Sequence, residues 1–443
     1  MAPQARAPPG PDGLPVLGST VSVMRDPFGF YEQLRRYGDV VRYRTLLGTF
    51  TTLFHPDHVE RVLVSDQQQF EQVDIADFDV GIEPQGLVDV RGEQWRRQRT
   101  VLQPAFTLDR VQSHADAMVA ATRSQFDTWV DGQLIRLDEA ASRLTLDVLT
   151  RSLFDLDLDD DDAEVVADTA SVLNEQLAVG NLTMLLPSWL PTPANRRFER
   201  TYAAFVDRVD ALIDERRQRD HQGEDLLSIL LRAEGDAGET LTDDEVRDNM
   251  LTFLFAGHET TALALTYTVL LLARHGTVAD RLRTEVDEVV ATAAPGIEHL
   301  PELALTERVL DEALRLYPPI PVLFRQPTEP VTFDGYRIGP ESLVTLPVYS
   351  LHRDGRLWDD PTTFDPDRWR DEGTERPAYA YFPFGGGPRH CIGMRFARLE
   401  LQLVLALFVQ NFYFELRSDP EPELDPGMTL RPADPVEVRV RRR

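Results

Sequence analysis

The only cysteine among 443 residues, Cys391, lies in FPFGGGPRHCIGMRFARLE (382–400), after three consecutive glycines and before a helical pattern. A helix N-terminus offers free N–H groups and a positive dipole end, and both favour a thiolate. Arg389, two residues earlier, carries a planar fork of donors suited to a carboxylate. Glycines allow close backbone approach and positive φ. A lone cysteine is most often a small inert core residue. A cysteine hydrolase would need a base, and only the adjacent His390 is at hand. One thiolate is too few ligands for a structural zinc site. It is enough for the axial position of a haem, where thiolate pushes electron density toward O–O cleavage.

Other polar groups stand where apolar ones are expected. AGHETT (256–261) interrupts a long run, 241–276, that is apolar on most of its surface. Gly257 in a helix interior is less favourable than alanine by roughly 0.5–1 kcal/mol. Glu259 and Thr260 place an acid and a hydroxyl where leucine would be better tolerated, and a buried carboxylate needs a partner or shifts its pKa. The pattern predicts a local opening of the helix, aided by Thr260 bonding back to the preceding turn, that offers an acid–alcohol pair to a ligand. The plainer reading is a polar stripe meeting solvent or a buried water. In DEALRLYPP, Glu312 and Arg315 are spaced i, i+3, the spacing of a common exposed ion pair worth about 0.2–0.5 kcal/mol. Arg368 in FDPDRW (364–369) could complete a network with them. WRRQR (95–99) sets Trp95 and Arg99 on one helix face, as core packing beside a solvated arginine would.

These residues need elements to position them. The Pro/Gly-rich residues 1–18 read as a surface arm, and VVRYRTL (40–46) with FTTLF (50–54) as an antiparallel strand pair. From 92 to 318 the apolar periodicity is helical almost throughout. Thr242 followed by three acids is an N-terminal signal. A continuous helix over 243–274 would span ~48 Å at 1.5 Å per residue. After YPPIP (317–321) short strands and turns follow until a last helix at about 394–411. The fold class is mainly α with a minor β-sheet. The length exceeds the roughly 250–300 residues at which single cores stop growing, so the chain holds two domains or one large fold built around something.

Acids exceed basic residues by 28, and no lysine occurs. Such self-repulsion is tolerable where salt shortens the Debye length to about 3 Å, so a salt-adapted, halophilic cytoplasm is expected. A GC-rich genome would explain the missing lysines but not the acid excess. Nucleic acid is excluded as a partner on charge. A single cysteine excludes an intramolecular disulfide. No apolar run approaches the ~20 residues of a transmembrane anchor, and no signal peptide is evident.

The sequence resembles the cytochrome P450 family over almost its whole length. Phe384, Gly387, Arg389, Cys391 and Gly393 reproduce F-x-x-G-x-R-x-C-x-G, the haem-binding loop. WRRQR, AGHETT, Glu312-x-x-Arg315 and Arg368 follow the family's order along the chain. The resemblance implies one triangular domain over 1–443 around haem b (iron protoporphyrin IX), with residues 382–393 as the ligand loop. It makes Cys391 the axial ligand of the haem iron. Trp95, Arg99 and Arg389 become propionate partners, with Arg325 and His352 as further candidates. Phe384 packs near the thiolate, and Ala256, Gly257 and Gly393 lie against the cofactor. Thr260 and Glu259 manage proton delivery during oxygen activation. Glu312, Arg315 and Arg368 form a structural triad.

The implied reaction inserts one atom of O2 into an apolar substrate and releases the other as water. The chain ends soon after the cysteine, so a separate donor, a ferredoxin, is expected to dock at Arg96, Arg97, Arg395 and Arg398. A monomer is expected. Substrate would contact residues around 74–90, Phe255, Ala256, Val322, Leu323 and Phe324, with LTMLLPSWLP (182–191) as an entrance lid. A peroxygenase or isomerase on the same scaffold, or a haem-thiolate sensor, are the alternatives. Such enzymes often lose the acid–alcohol pair, and a sensor does not need it.

Overall fold

The computed structural model describes residues 6–73, 84–178, 192–218, 223, 225–232, 241–370 and 376–443. Its longest element is the central helix Asp243–Arg274, 32 residues. Thr242 caps it: the hydroxyl accepts from the Glu245 N–H, and the Glu245 carboxylate accepts from the Thr242 N–H. The helix is buried on most of its surface because others surround it, foremost Leu137–Leu153, then Pro193–Gln218, Ala304–Leu316 and Met394–Asn411. It ends in a bend of 111° into Gly276–Val289.

The expected opening at AGHETT is absent. The helix passes through these residues intact, while the Thr260 and Thr261 hydroxyls donate to the carbonyls four residues back, Ala256 (2.9 Å) and Gly257 (3.0 Å). Packing against neighbouring helices overrides the local preferences of glycine and threonine. The acidic run at 155–164 also has a local reason. The Asp159 side chain accepts from the Asp162 N–H, and Asp160, Asp161 and Asp162 fill the first turn of helix Asp160–Leu177, where the dipole favours them.

The main sheet runs in the order Val40–Thr45, Gly48–Leu53, Ser342–Leu346, Leu323–Pro327, Phe70–Gln72. Only the Gly48–Leu53/Ser342–Leu346 pair is parallel, and buried hydroxyls fix its register, Thr51 with Ser342 at 2.8 Å and Thr52 with Thr345 at 2.7 Å. The N-terminal arm lies along this sheet region. Arg42 N–H donates to the Pro9 carbonyl, and Arg337 N–H to that of Arg6, both at 2.8 Å.

One apolar core runs from Leu87 to Val440, so the length belongs to a single domain, 57% helical. Among the described residues, no single helix is long and apolar enough to cross a membrane.

Candidate active site

Three glycines shape the loop that ends in Cys391. Gly385 and Gly387 take φ of +71° and +64°, the left-handed region where a Cβ is strained. A Cβ on Gly386 would lie 2.5 Å from the Tyr379 ring, and one on Gly387 only 1.7 Å from the Leu63 carbonyl oxygen. Gly386 and Gly387 thus have protein neighbours, and Gly385 and Gly387 turn geometry, as reasons to lack a Cβ. The Cys391 N–H donates to the Phe384 carbonyl (3.0 Å), which closes the loop, and Gly393 caps helix Met394–Asn411. Gly387→Ala is expected to destabilise the chain by about 3 kcal/mol, because strain and a backbone clash act together. A melting temperature and haem occupancy equal to wild type would contradict this.

The Cys391 thiol is exposed. The surrounding protein raises its pKa, while the Gly393 N–H, Arg99 and the Met394 N–H oppose that rise. Arg99 reaches the same loop, donating to the His390 carbonyl at 3.1 Å and contacting the His390 ring at 3.3 Å. Trp95, one turn earlier on helix Gly92–Leu102, lies under Arg389, whose guanidinium carbon is 4.7 Å from the ring centroid. Arg389 also donates to the Val90 carbonyl at 2.6 Å. Burial, then Arg325 and Arg91, draw the Arg389 pKa down to about 10. Arg325 is buried in strand Leu323–Pro327, donates to the Phe324 carbonyl at 2.7 Å, and is itself drawn down to about 10 by burial. Neither arginine has an ion pair among the described residues. A buried and a half-buried guanidinium group within electrostatic reach of each other, the second two residues from an exposed thiol, suit a dianionic group with a metal that takes a soft ligand.

His352 does not belong to this set. Its Nε2 accepts from the Phe382 N–H (3.0 Å), it is fully buried, and burial followed by Arg315 pushes its pKa to about 3. It is a neutral brace behind the loop, and the propionate role expected for it is withdrawn.

From Asp248 to Leu272 the central helix is buried except at Ala256, Gly257 and Thr260, which share one face. This is the helix's only opening outward along that length. Gly257 has a packing reason as well, since a Cβ there would meet the Leu149 side chain at 2.9 Å; its cofactor-contact role is not required to explain it. Glu259 points elsewhere. Its carboxylate accepts from Arg431 Nε (2.6 Å) and Thr429 (3.3 Å) in the hairpin Leu424–Pro426/Leu430–Pro432, so the acid is latched to a neighbouring element. Asn174 holds the same hairpin, accepting from Thr429 N–H and hydroxyl at 3.0 Å. Phe255 packs with Ala170, Leu173, Phe198, Tyr202 and Met428 in a separate apolar cluster. Leu323 and Arg325 share one face of their strand, and Leu323 lies near Gly385. Phe324, expected to line the pocket, faces the other side of the strand and packs on the cluster of Phe30, Tyr43 and Phe50. Val322 is half-buried just before the strand. Residues 74–83 and 182–191, expected as a substrate loop and a lid, lie outside the described residues.

The triad closes as its spacing allowed, but buried. Glu312 takes both Arg315 Nε and its terminal nitrogen at 2.8 Å, Arg368 Nε at 2.9 Å, the Trp369 indole at 2.9 Å and the Asp365 N–H at 3.0 Å. Arg315 donates further to the carbonyls of His352 (2.7 Å) and Pro361 (2.6 Å). Of the four arginines expected to receive a ferredoxin, Arg97 is paired with Glu245, and Arg398 with Asp311 (2.9 Å) and Glu307 (3.1 Å). Their charge is engaged internally; Arg96 and Arg395 remain exposed.

The sequence profile of the cytochrome P450 family matches residues 8–440. The chain belongs to the cytochrome P450 family. As a cytochrome P450 it uses haem b, and the residues here fit that group: the exposed Cys391 would supply the thiolate, while buried Arg325 and half-buried Arg389 would offer positive charge to the propionates. The chain is 32% identical to a cyclooctat-9-en-7-ol 5-monooxygenase of Streptomyces melanosporofaciens, covering 91% of this chain and 88% of that one. It is also 32% identical to a pentalenene oxygenase of Streptomyces avermitilis, over 97% and 96%. The solved structure of a retinoic acid bound cyanobacterial CYP120A1 superposes with a TM-score of 0.88, at 27% identity over 99% of this chain and 100% of that one. This P450 is an oxidoreductase of the monooxygenase type.

Sequence reasoning missed Arg431, the partner of Glu259, because the two are 172 residues apart and the hairpin carries no motif. It also missed the clamp in which Glu245 accepts from Gln94 (3.1 Å) while Asp248 and Asn249 accept from the N–H groups of Gln85 and Leu87. This clamp ties the tryptophan helix and the loop before it to the start of the central helix. Glu245 was legible only as a cap.

Proposed function

We propose that this P450 hydroxylates or epoxidises an apolar terpenoid substrate with O2, using electrons from a separate ferredoxin-type protein. The carrying observation is the single outward face of the central helix, Ala256, Gly257 and Thr260, in a chain whose thiol is accessible. The relatives named for cyclooctat-9-en-7-ol and pentalenene, with the apolar cluster around Phe255, support the substrate class. Haem, when bound, supplies the activation of O2. Cys391 would hold its iron, and Arg325, Arg389, Arg99 and Trp95 its propionate edge.

The Thr260 hydroxyl donates to Ala256, which leaves its oxygen free to accept from water or substrate on the open face. A proton passing through Glu259 must displace a bond to Arg431 or Thr429. The Thr260 hydroxyl on the open face, with Glu259 next to it in the chain, favours O2-dependent turnover over a peroxide-driven reaction or a sensor. Turnover with O2 and reduced ferredoxin, compared with peroxide alone, tests this; product from peroxide only would overturn it. In Thr260→Ala, reductant oxidation should persist while product falls about 10- to 100-fold and peroxide rises. Full coupling in that variant would remove the role given to Thr260.

A monomer in a salt-adapted cytoplasm completes the proposal, supported by the excess of 28 acids. The melting temperature should climb between about 0.1 and 1 M KCl as repulsion is screened; a flat or falling profile rules the salt adaptation out.

A further inference from the structure

At the rim of the apolar cluster around Phe255, helix Asp160–Leu177 carries one polar side chain whose donors the fold leaves unused. Asn174 is only 2% exposed. Its Oδ1 accepts twice from Thr429, from the N–H and from the hydroxyl, both at 3.0 Å. A backbone N–H can only donate, so the bond from Thr429 fixes which end of the amide is oxygen. The Nδ2 group therefore occupies the other arm, and neither of its N–H bonds meets an acceptor among the described residues. A buried amide N–H without an acceptor is costly, and folds keep few of them. Anchoring the hairpin required an acceptor alone, which a carboxylate or a hydroxyl supplies without two unused donors.

The surroundings have the make-up of a binding wall, mostly apolar with one polar group that fixes orientation. Ala170 and Leu173, on the same helix as Asn174, cluster with Phe255 of the central helix. Leu177, Phe198, Tyr202 and Met428 pack against them but are only half-buried, so the cluster is not sealed. Gly427 comes so close that a Cβ there would lie 2.6 Å from the Asn174 Oδ1 and 2.9 Å from its Nδ2. The amide is thus pinned on one side by the hairpin. Phe255 and Glu259 lie one turn apart on one face of the central helix, and Glu259 reaches the same hairpin through Thr429 and Arg431. Ala256 and Thr260 each follow by one residue, about 100° further round the axis, on the open face. A substrate lying across Phe255 would present one end to Asn174 and another to Thr260.

Resting on the terpenoid reading above, we propose that Asn174 is a specificity-determining residue: its Nδ2 donates to an oxygen already present on the substrate, a hydroxyl or a carbonyl. The relatives differ on this point, one being named for an alcohol, cyclooctat-9-en-7-ol, and another for pentalenene. An oxygen held at one end also selects which carbon meets the Thr260 face. A preceding reaction that places oxygen on the skeleton must supply such a substrate.

The test is optical titration of haem-loaded enzyme with matched hydrocarbon and alcohol pairs: farnesene and farnesol, cedrene and cedrol, phytene and phytol. Transfer out of water favours the hydrocarbon of each pair, so a preference for the alcohol requires a hydrogen bond. Wild type should bind at least one alcohol about tenfold or more tighter than its hydrocarbon. Asn174→Leu should reverse that order. Thr429→Val weakens the same hairpin anchor but leaves Nδ2 in place, so it should keep the wild-type preference. Should Asn174→Leu misfold, the wild-type pairs and Thr429→Val decide. Loss of the preference in Thr429→Val would overturn the proposal, since Asn174 would then act only through the hairpin. Hydrocarbons bound as tightly as their alcohols by wild type would also overturn it, and would leave the terpenoid reading standing. Wild type that bound no member of any pair would remove the terpenoid reading itself, and this proposal with it.

Discussion

Cys391→Ser should abolish monooxygenase turnover while leaving the polypeptide folded. The loop is set by backbone groups, with Cys391 N–H on the Phe384 carbonyl and left-handed Gly385 and Gly387. Exchanging sulfur for oxygen changes none of these, so the apoprotein should lose no more than about 0.5 kcal/mol. What disappears is the soft, electron-donating ligand that an alcohol cannot replace at neutral pH. The reduced, CO-bound form should lose the red-shifted Soret band of thiolate ligation, and product should fall to background. A variant that kept the band would show that another group ligates the iron.

Glu312→Ala should be the most damaging change away from the thiol. The carboxylate is fully buried and receives five hydrogen bonds from Arg315, Arg368, Trp369 and Asp365. Removing it strands the Arg315 guanidinium, itself fully buried, and breaking such a pair costs about 3–5 kcal/mol. The loss should spread to the haem loop, because Arg315 holds the His352 carbonyl and the His352 ring holds Phe382. Thermal melts and haem retention measure it, and Glu312→Gln, which keeps the acceptors, should lose less. Equal stability in Ala and wild type would refute the assignment.

The same carboxylate gives a pH signature. Burial alone would raise its pKa, but Arg315, the Asp365 N–H and Arg368 hold it below the usual 4.5. A depressed folded pKa contributes stability that is present above the unfolded value and lost as pH falls through the folded one. Melts between about pH 3 and 7 should therefore show wild type losing stability on the acid side, with a shallower slope in Glu312→Gln.

Much of this was readable from spacing. Thr242 and Glu245 announced a helix start, Glu312 and Arg315 a pair on one helix face, and the Cys391 loop a turn-rich approach to a helix N-terminus. Each depends on residues within a few positions of one another, and local backbone geometry fixes what such residues can reach. Even the 32-residue central helix was bounded correctly by its cap.

Tertiary structure decided the rest, because it concerned which distant groups fill one space. Gly387 is a glycine on account of the Leu63 carbonyl, and Gly257 accommodates Leu149, neither of which is near in sequence. His352 turned toward Phe382, and Phe324 toward the Phe30 cluster. Glu259, an isolated acid in its helix, acquired Arg431 from a hairpin 172 residues on. A motif specifies the chemistry a side chain can perform; only close packing specifies which partner occupies its hydrogen-bonding positions.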